Sequence, residues 1–254
     1  GEVAQVSVPK SLEILVQRGW EIFNSPRVRI EYTHNQEADI FLNDLVNYPH
    51  ALVFACIMDR QIPAERAWLI PFLLKQKLNH FSMDRLCALS LEQIVQLMTV
   101  PAPLHRFPVL MAKNLYSAIH RIAAVYNSDA CQIWAGRPSS ALVFYRFFEF
   151  AGVGPKIASM ATNILAREHK IPFSDYYFVD ISADTHVRRV FFRLGFTPQD
   201  ASAEHVIYKA RSLYPDFPGL IDLPCFEIGK KWCRPKNPLC SLCYMKEVCP
   251  HPVI

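Results

Sequence analysis

Apolar residues in this chain recur at the three- and four-residue spacing of amphipathic helices, and they nowhere sustain the two-residue alternation of strands. The pattern therefore predicts an all-α fold class. The stretch from Asp39 to Ile57 is strongly apolar and predicts two helices broken near Pro49. Further helices are predicted at 9–23, 64–78, 91–98, 108–126, 199–213 and 221–232.

Local chemistry marks where several of these helices begin and end. Pro108 suits the first turn of a helix, where its missing N–H costs nothing. Ser90 precedes Gln93 in the arrangement of an N-terminal capping box. Asp184 comes directly before an amphipathic run and predicts a helix N-cap, and Gly195 predicts the end of the same helix.

Two more apolar-periodic stretches flank the sequence Gly152-Val153-Gly154-Pro155-Lys156. Glycine tolerates positive φ, so the two glycines suit a very tight hairpin between helices. Backbone N–H groups at such a turn and helix start can point at a phosphate. The segment is interpreted as a helix-hairpin-helix clamp on a DNA backbone, although an ordinary helical hairpin with glycines at its turn gives the same short pattern.

Four cysteines lie within 17 residues near the C-terminus, in the spacing C-x6-C-x2-C-x5-C: Cys233, Cys240, Cys243 and Cys249. A Cys-x2-Cys pair lets two sulfurs reach one metal centre. Disulfides or unused thiols are less favoured, because no signal peptide or secretory context supports oxidation. The sequence therefore predicts a metal centre, but zinc and a [4Fe–4S] cluster both accept four cysteine sulfurs.

Composition limits the class of protein without choosing an activity. The chain has 254 residues, 51% of them hydrophobic, with 8 Gly, 19 Pro and a formal net charge of +4. This excludes a disordered chain, and the mild positive charge permits nucleic-acid binding without arguing for it. No apolar run is long enough for a membrane span, so no membrane partner is expected. The remaining cysteines are expected to be buried free thiols in a reducing compartment: Cys56, Cys87, Cys131 and Cys225.

The hairpin and the cysteines are joined by a third motif, Ala-Asp-Thr-His-Val-Arg-Arg-Val at 183–190. In this order the three motifs resemble the endonuclease III branch of the helix-hairpin-helix DNA glycosylases, over roughly residues 45–250. The resemblance implies a [4Fe–4S] cluster on the four cysteines rather than zinc. It also implies two lobes, a helical barrel at 42–172 and a cluster domain formed by 1–41 with 173–254.

The resemblance implies that Lys156 is the catalytic nucleophile, attacking C1′ of a deoxyribose to form a Schiff base. The positive end of the helix dipole would disfavour its ammonium form, and burial in a cleft between the lobes would act in the same direction. Asp184 would stabilise positive charge on the sugar or help to activate Lys156. The two residues are 28 positions apart, about ten more than in the family pattern, so Asp180 is a rival for the aspartate role.

DNA contacts are also implied by the resemblance. Gly152 and Gly154 would face the backbone, and Gln61 aligns with a glutamine that fills the gap left by a flipped base. Arg60 departs from the family pattern beside it and would fill the gap or face the opposite base. Asp59 departs too, and would contact the flipped base or pair with Arg60.

Other side chains extend the predicted DNA surface. Arg234 and Lys236, between the first two cluster cysteines, would meet phosphates. The adjacent aromatic residues Tyr176, Tyr177 and Phe178 would stack on a base if their rings were exposed, although such neighbours are more often split between core and surface.

The implied function is a bifunctional DNA glycosylase/AP lyase that removes a damaged base from double-stranded DNA in base excision repair. A monofunctional glycosylase, a non-catalytic DNA-binding module with a structural cluster, and an electron-transfer iron–sulfur protein are the alternatives. We expect a monomer in the cytoplasm and nucleoid, or in the nucleus of a eukaryote.

Overall fold

A computed structural model describes residues 8–250 of the chain, and in that range it contains helices and loops but no strand. The predicted all-α class is confirmed. Residues 8–250 form twelve α-helices: α1 (Lys10–Phe23), α2 (Gln36–Asn43), α3 (Pro49–Met58), α4 (Ala64–Leu78), α5 (Met83–Cys87), α6 (Leu91–Thr99), α7 (Pro108–Val125), α8 (Ser140–Phe148), α9 (Pro155–Asn163), α10 (Thr185–Arg193), α11 (Ala203–Leu213) and α12 (Asp222–Lys231). No helix in the described range is long and apolar enough to cross a bilayer.

The helices form two compact units. One comprises Arg27–Ser174, and the other combines the chain before Arg27 with the chain from Asp175 onward. The units therefore change at 27 and 175, whereas the domain boundaries predicted from the sequence are 42 and 173; the domain division stays a prediction.

Helix α3 forms the centre of the unit at 27–174. Every residue from Pro49 to Met58 is buried, which explains why this helix carries no polar face. Helices α2, α4, α7 and α9 all pack against it. The uninterrupted apolar run in the sequence thus corresponds to a helix that its neighbours surround.

The core of the second unit is built from α1, α10, α11 and α12. Leu15, Phe191, Val206 and Ile221 are each at most 1% exposed and belong to one apolar cluster. This packing ties the first helix of the chain to the segment that carries the cysteines. Because the two ends of the chain share one core, this unit depends on contacts between residues about 200 positions apart.

Most predicted helix starts are observed where the local chemistry placed them. Ser90 and Gln93 form a reciprocal capping box, with Gln93 N–H donating to Ser90 Oγ at 3.1 Å and Ser90 N–H donating to Gln93 Oε1 at 2.9 Å. The start predicted at 199 is wrong, because Ser202 caps α11 and accepts the N–H of His205. The short helix α5 was not predicted.

The expectation that four cysteines outside the C-terminal motif are buried holds for only two of them. Cys56 and Cys225 are at most 1% exposed, whereas Cys87 and Cys131 are half-buried. The Cys131 thiol donates to the carbonyl oxygen of Leu45 at 3.1 Å.

Candidate active site and metal centre

The turn between α8 and α9 requires glycine at only one of its two glycine positions. Gly152 has φ +81°, and a Cβ there would clash with the side-chain amide of Asn114 on α7. Gly154 has φ −95° and caps α9 in an extended conformation. Positive φ, which the sequence suggested for both glycines, is therefore found at Gly152 and not at Gly154. A Cβ at Gly154 would meet no atom of the protein within 4 Å.

Helix α7 also holds the approach to this turn. Arg121 forms an ion pair with Glu149, Nη2 to Oε2 at 3.3 Å, and its guanidinium lies 5.7 Å from the centre of the Phe150 ring. Phe150 and Val153 are themselves buried. The turn is therefore anchored by packing that the chain supplies alone.

Lys156 lies in the first turn of α9, directly after Pro155 at the first helical position. Its side chain is exposed, so the burial expected for it is not provided by its own unit. The exposed amine lies close to the N-terminus of α9, where backbone N–H groups of the first turn have no partner within the helix. That Lys156 and Asp184 share one cleft stays a prediction.

The loop after α3 presents two of the predicted DNA-contact residues. Arg60 donates from Nη1 to the carbonyl oxygen of Gly152 at 3.4 Å, which brings this loop to the hairpin. Gln61 is exposed and has φ +57°. Asp59 accepts a hydrogen bond at Oδ2 from Trp68 Nε1 at 2.9 Å, so its carboxylate is held by a tryptophan.

A network of contacts that the sequence did not reveal extends from Asp59 through Trp68 and Tyr32 to His169. Tyr32 stacks on Trp68, with ring centres 4.2 Å apart and planes at 5°. His169 Nδ1 accepts from Arg27 at 2.9 Å, which leaves His169 Nε2 to donate to the Tyr32 hydroxyl at 2.7 Å. Burial, reinforced by Arg27, lowers the pKa of His169 to about 3 and keeps it neutral. The residues are too far apart in sequence for any local pattern to reveal this network.

The two rival aspartates have different environments. Asp180 is 4% exposed, and both of its oxygens accept from Arg211, at 2.8 Å from Nε and 2.7 Å from Nη2. Asp184 caps α10 and accepts the N–H of Val187 at Oδ1, 2.9 Å away. It is half-buried, and its Oδ2 is not needed for the cap. Asp180 is therefore held in an ion pair, whereas Asp184 caps a helix; that Asp184 is the catalytic aspartate stays a prediction.

The four C-terminal cysteines all line one cavity of about 50 Å³. Trp232, Ile228 and Leu194 contribute to its walls. Within residues 8–250, no three His, Cys, Asp or Glu side chains are grouped tightly enough to hold a single metal ion. The sulfurs instead border a shared space, and a donor set of four thiolates around such a space fits an iron–sulfur cluster.

Arginines from α10 hold the backbone of the cysteine loop. Arg189 Nε donates to the carbonyl oxygen of Cys233 at 2.7 Å, and Arg193 Nη1 donates to that of Arg234 at 2.7 Å. Arg193 Nη1 also donates to Cys233 Sγ at 3.3 Å. The predicted phosphate contacts Arg234 and Lys236 are exposed in this loop.

No family model matches the chain. A segment of 69 residues is 35% identical to endonuclease III of Thermotoga maritima, and it covers 27% of this chain and 32% of that protein. The chain thus matches about a third of the length of its curated relative.

Solved structures match over nearly the whole chain. One is a trapped endonuclease III–DNA covalent intermediate, in an estranged-adenine complex, with a TM-score of 0.53, 18% identity and 97% coverage of both chains. Another is a thermostable thymine-DNA glycosylase, with a TM-score of 0.54, 14% identity and coverage of 95% of this chain and 96% of the other. The fold is that of the helix-hairpin-helix DNA glycosylases. Within that class the sequence match is to endonuclease III, which confirms the resemblance drawn from the three motifs.

Proposed function

We propose that this protein is a bifunctional DNA glycosylase and AP lyase that acts on a damaged base in double-stranded DNA. The observation that carries the proposal is the exposed Lys156 amine in the first turn of α9, directly after a turn that Gly152 makes possible. The same fold occurs in an endonuclease III captured as a covalent intermediate with DNA. A lysine is the side chain that forms such a bond with a sugar carbonyl equivalent.

In the proposed reaction, the Lys156 nitrogen bonds to C1′ as the glycosidic bond breaks. The base leaves with that electron pair and takes up a proton, and the opened sugar becomes an imine of Lys156. Loss of a proton from C2′ then expels the 3′ phosphate, and water releases the lysine. This sequence returns Lys156 to its starting state and cuts the strand.

Asp184 is the residue proposed to stabilise positive charge on the sugar as the base departs. Its cap to Val187 fixes the carboxylate at the start of α10 and orients it. Asp180 is a poor candidate, because both of its oxygens bind Arg211. Removing a fixed carboxylate that faces developing charge commonly costs several kcal/mol of transition-state stabilisation, on the order of 100-fold in rate.

DNA binding is proposed at three places. The open space beside Gly154 lets a phosphate approach the N–H groups at the start of α9. Arg60 and Gln61, next to the hairpin, would occupy the gap left by the extruded base. Arg234 and Lys236 would contact phosphates, so affinity should fall steeply with salt.

A [4Fe–4S] cluster is proposed on the four cysteines that line the cavity in the C-terminal unit. Bound there, the cluster supplies a structural cross-link between its ligands. The role of the chain's own residues is to hold the loop open around it, through Arg189 and Arg193. A purified protein with brown colour and stoichiometric iron is expected, and zinc in place of iron would contradict this part of the proposal.

Borohydride trapping tests the reaction. Duplexes carrying an abasic site, an oxidised pyrimidine, 8-oxoguanine, uracil or an alkylated base are incubated with protein and reductant, and covalent adducts are counted. The wild type should form an adduct that Lys156→Ala abolishes, whereas Lys10→Ala, which removes an exposed lysine of α1, should not change it. Base release without an adduct would indicate a monofunctional glycosylase, and tight binding with neither would indicate a DNA-binding module.

A further inference from the structure

A short turn in the C-terminal unit presents two adjacent aromatic rings to solvent. Val179 N–H donates to the carbonyl oxygen of Tyr176 at 3.2 Å, which makes Tyr177 and Phe178 the two central residues of the turn. Tyr177 is 55% exposed and Phe178 is 47% exposed. Central turn positions normally carry Pro, Gly, Asn, Asp or Ser, so two large aromatic residues there call for another explanation.

The chain holds this turn from both sides. Before it, the ring of Tyr176 stacks on Phe217 with centres 4.4 Å apart and planes at 8°, and Asp175 Oδ1 accepts the N–H of Tyr177. After it, the carbonyl oxygen of Val179 accepts the N–H of Gly219 at 2.7 Å. Val179 is buried and Tyr176 packs on Phe217, so the backbone of the turn that carries the two exposed rings is held on both sides.

Gly219 shows how close this attachment is. A Cβ at that position would lie 2.6 Å from the carbonyl oxygen of Asp180 and 2.9 Å from that of Val179. Only a glycine at position 219 lets the backbone at 179–180 approach the helical turn Pro218–Ile221 so closely. The attachment fixes the direction in which Tyr177 and Phe178 point.

A third exposed ring and a cation lie beside the same segment. Arg211, which binds Asp180, has its guanidinium 4.8 Å from the centre of the Tyr208 ring. Tyr208 is 63% exposed. Exposed aromatic faces beside an arginine are the combination on which unpaired nucleobases stack.

Hydrogen bonds also hold the chain between this turn and the proposed catalytic aspartate. Asp184 N–H donates to the carbonyl oxygen of Ser182 at 2.8 Å, and Ser182 Oγ donates to Asp222 Oδ2 at 2.9 Å. The segment from the turn to the start of α10 is thus tied down at 179, 180 and 182. It lies within the region where this chain has about ten residues more than the family pattern.

We infer that Tyr177 and Phe178 form a stacking surface for a nucleobase that has left the DNA helix. The inference rests on the proposed function, because only a protein that extrudes a base would present one to this surface. The occupant is a base rather than an apolar protein segment, since the two exposed rings belong to the same hydrogen-bonded segment as the aspartate proposed to act on the sugar.

A binding experiment with two duplexes tests this surface. One duplex carries a single unpaired 2-aminopurine, and the other has tetrahydrofuran at the same position, which keeps the sugar analogue but lacks a base. The wild type should bind the 2-aminopurine duplex about 10-fold more tightly, and stacking should quench the fluorescence of the base. Equal affinity for the two duplexes, or no quenching, would overturn the inference.

Variants separate stacking from general binding. The double variant Tyr177→Leu and Phe178→Leu keeps apolar volume but loses the flat rings, so the preference for 2-aminopurine should disappear while affinity for the tetrahydrofuran duplex stays within about 2-fold. Tyr177→Phe with Phe178→Trp should restore the preference. Tyr145→Leu removes a ring that is 57% exposed on α8 and should leave the preference intact. Equal loss of affinity for both duplexes in the double variant would contradict the inference.

This test is independent of cleavage. A wild-type protein that quenches 2-aminopurine but forms no borohydride adduct would retain the stacking surface and refute the lyase proposal. A wild-type protein that forms the adduct but shows no preference between the duplexes would do the reverse.

Discussion

The hairpin between α8 and α9 and the cysteine loop after α12 are both irregular segments, yet they are held in different ways. The hairpin is short and rests on α7 through Asn114 and Arg121, with Phe150 and Val153 buried beneath it. Its shape follows from packing within one unit. It should therefore persist whatever the protein binds.

The cysteine loop has much less packing of its own. Of its four cysteines only Cys243 is buried, and the loop backbone is held by arginine donors and surrounds a cavity. A segment of this kind gains its rigidity from what fills the space between the sulfurs. One proposed DNA-contact region is therefore preformed by packing, whereas the other would take its rigidity from the proposed cluster.

The largest effect that would sharpen this comparison is expected from Cys243→Ser. Loss of one of four ligands should abolish the iron and lower the thermal midpoint by about 10 °C or more, because binding energy at a structural metal site contributes directly to folding. Iron content and calorimetry measure both quantities. Cys87→Ser, outside the loop and half-buried, should retain iron; loss of iron in that variant too would show that the effect is not specific to the ligand.

Acid should weaken the unit that carries the hairpin. The pKa of His169 is lowered from its ordinary 6.5 to about 3, so the unfolded chain binds the proton first. Stability from this residue is present above pH 6.5 and is lost as the pH falls toward 3, by about 2 kcal/mol at pH 5 and on the order of 5 kcal/mol in all. Urea unfolding at pH 7.5 and pH 5 should show the loss in the wild type and a smaller one in His169→Gln. An equal loss in both proteins would contradict the assignment to His169.

The two glycines of the hairpin should behave differently from each other. Gly152→Ala imposes a side chain at φ +81° and against Asn114, and should cost about 2 kcal/mol of unfolding free energy. Gly154→Ala should leave stability nearly unchanged, because its Cβ meets nothing, but it should weaken DNA binding by obstructing the approach of a phosphate. Urea titration and DNA anisotropy distinguish the two outcomes. Equal destabilisation by both changes would show that the hairpin is not held as described.

The smallest expected effect concerns two neighbouring arginines of α10. Arg189 donates to Cys233 and Gly229 carbonyl oxygens, so Arg189→Gln should cost about 1–2 kcal/mol and loosen the cysteine loop. Arg188 has an Nε with no partner among the described residues, and lies one helical turn from Asp184. Arg188→Gln should change the free energy of unfolding by no more than about 0.5 kcal/mol, as measured by urea titration of both variants. If Arg188→Gln instead destabilises the fold, the contrast fails.

Helix positions could be predicted well from the sequence because their causes are local. Apolar spacing, proline at the first turn and the Ser90 cap act within a few residues, so α4, α6 and α7 are found close to where the pattern placed them. The order of the hairpin, the 183–190 motif and the cysteines was equally visible. That order pointed to the fold that the solved structures share.

Choices between equivalent neighbours required the tertiary structure. The motif that continues from Asp184 into Thr185 and His186 favours it over Asp180, but only the tertiary structure shows that Asp180 forms a long-range ion pair with Arg211 while Asp184 caps a helix. In the same way, Tyr176 stacks on the buried ring of Phe217, whereas its neighbour Tyr177 is exposed.

The helices, the glycine turn and the loop with four thiols could be predicted from local patterns in the sequence, because each depends on residues within about one or two helical turns. The tertiary structure alone decided which side chains remain available for chemistry, since availability depends on partners brought together from distant parts of the chain. His169 is the clearest case: it binds Tyr32 from 137 positions away, and burial rather than any motif sets its charge.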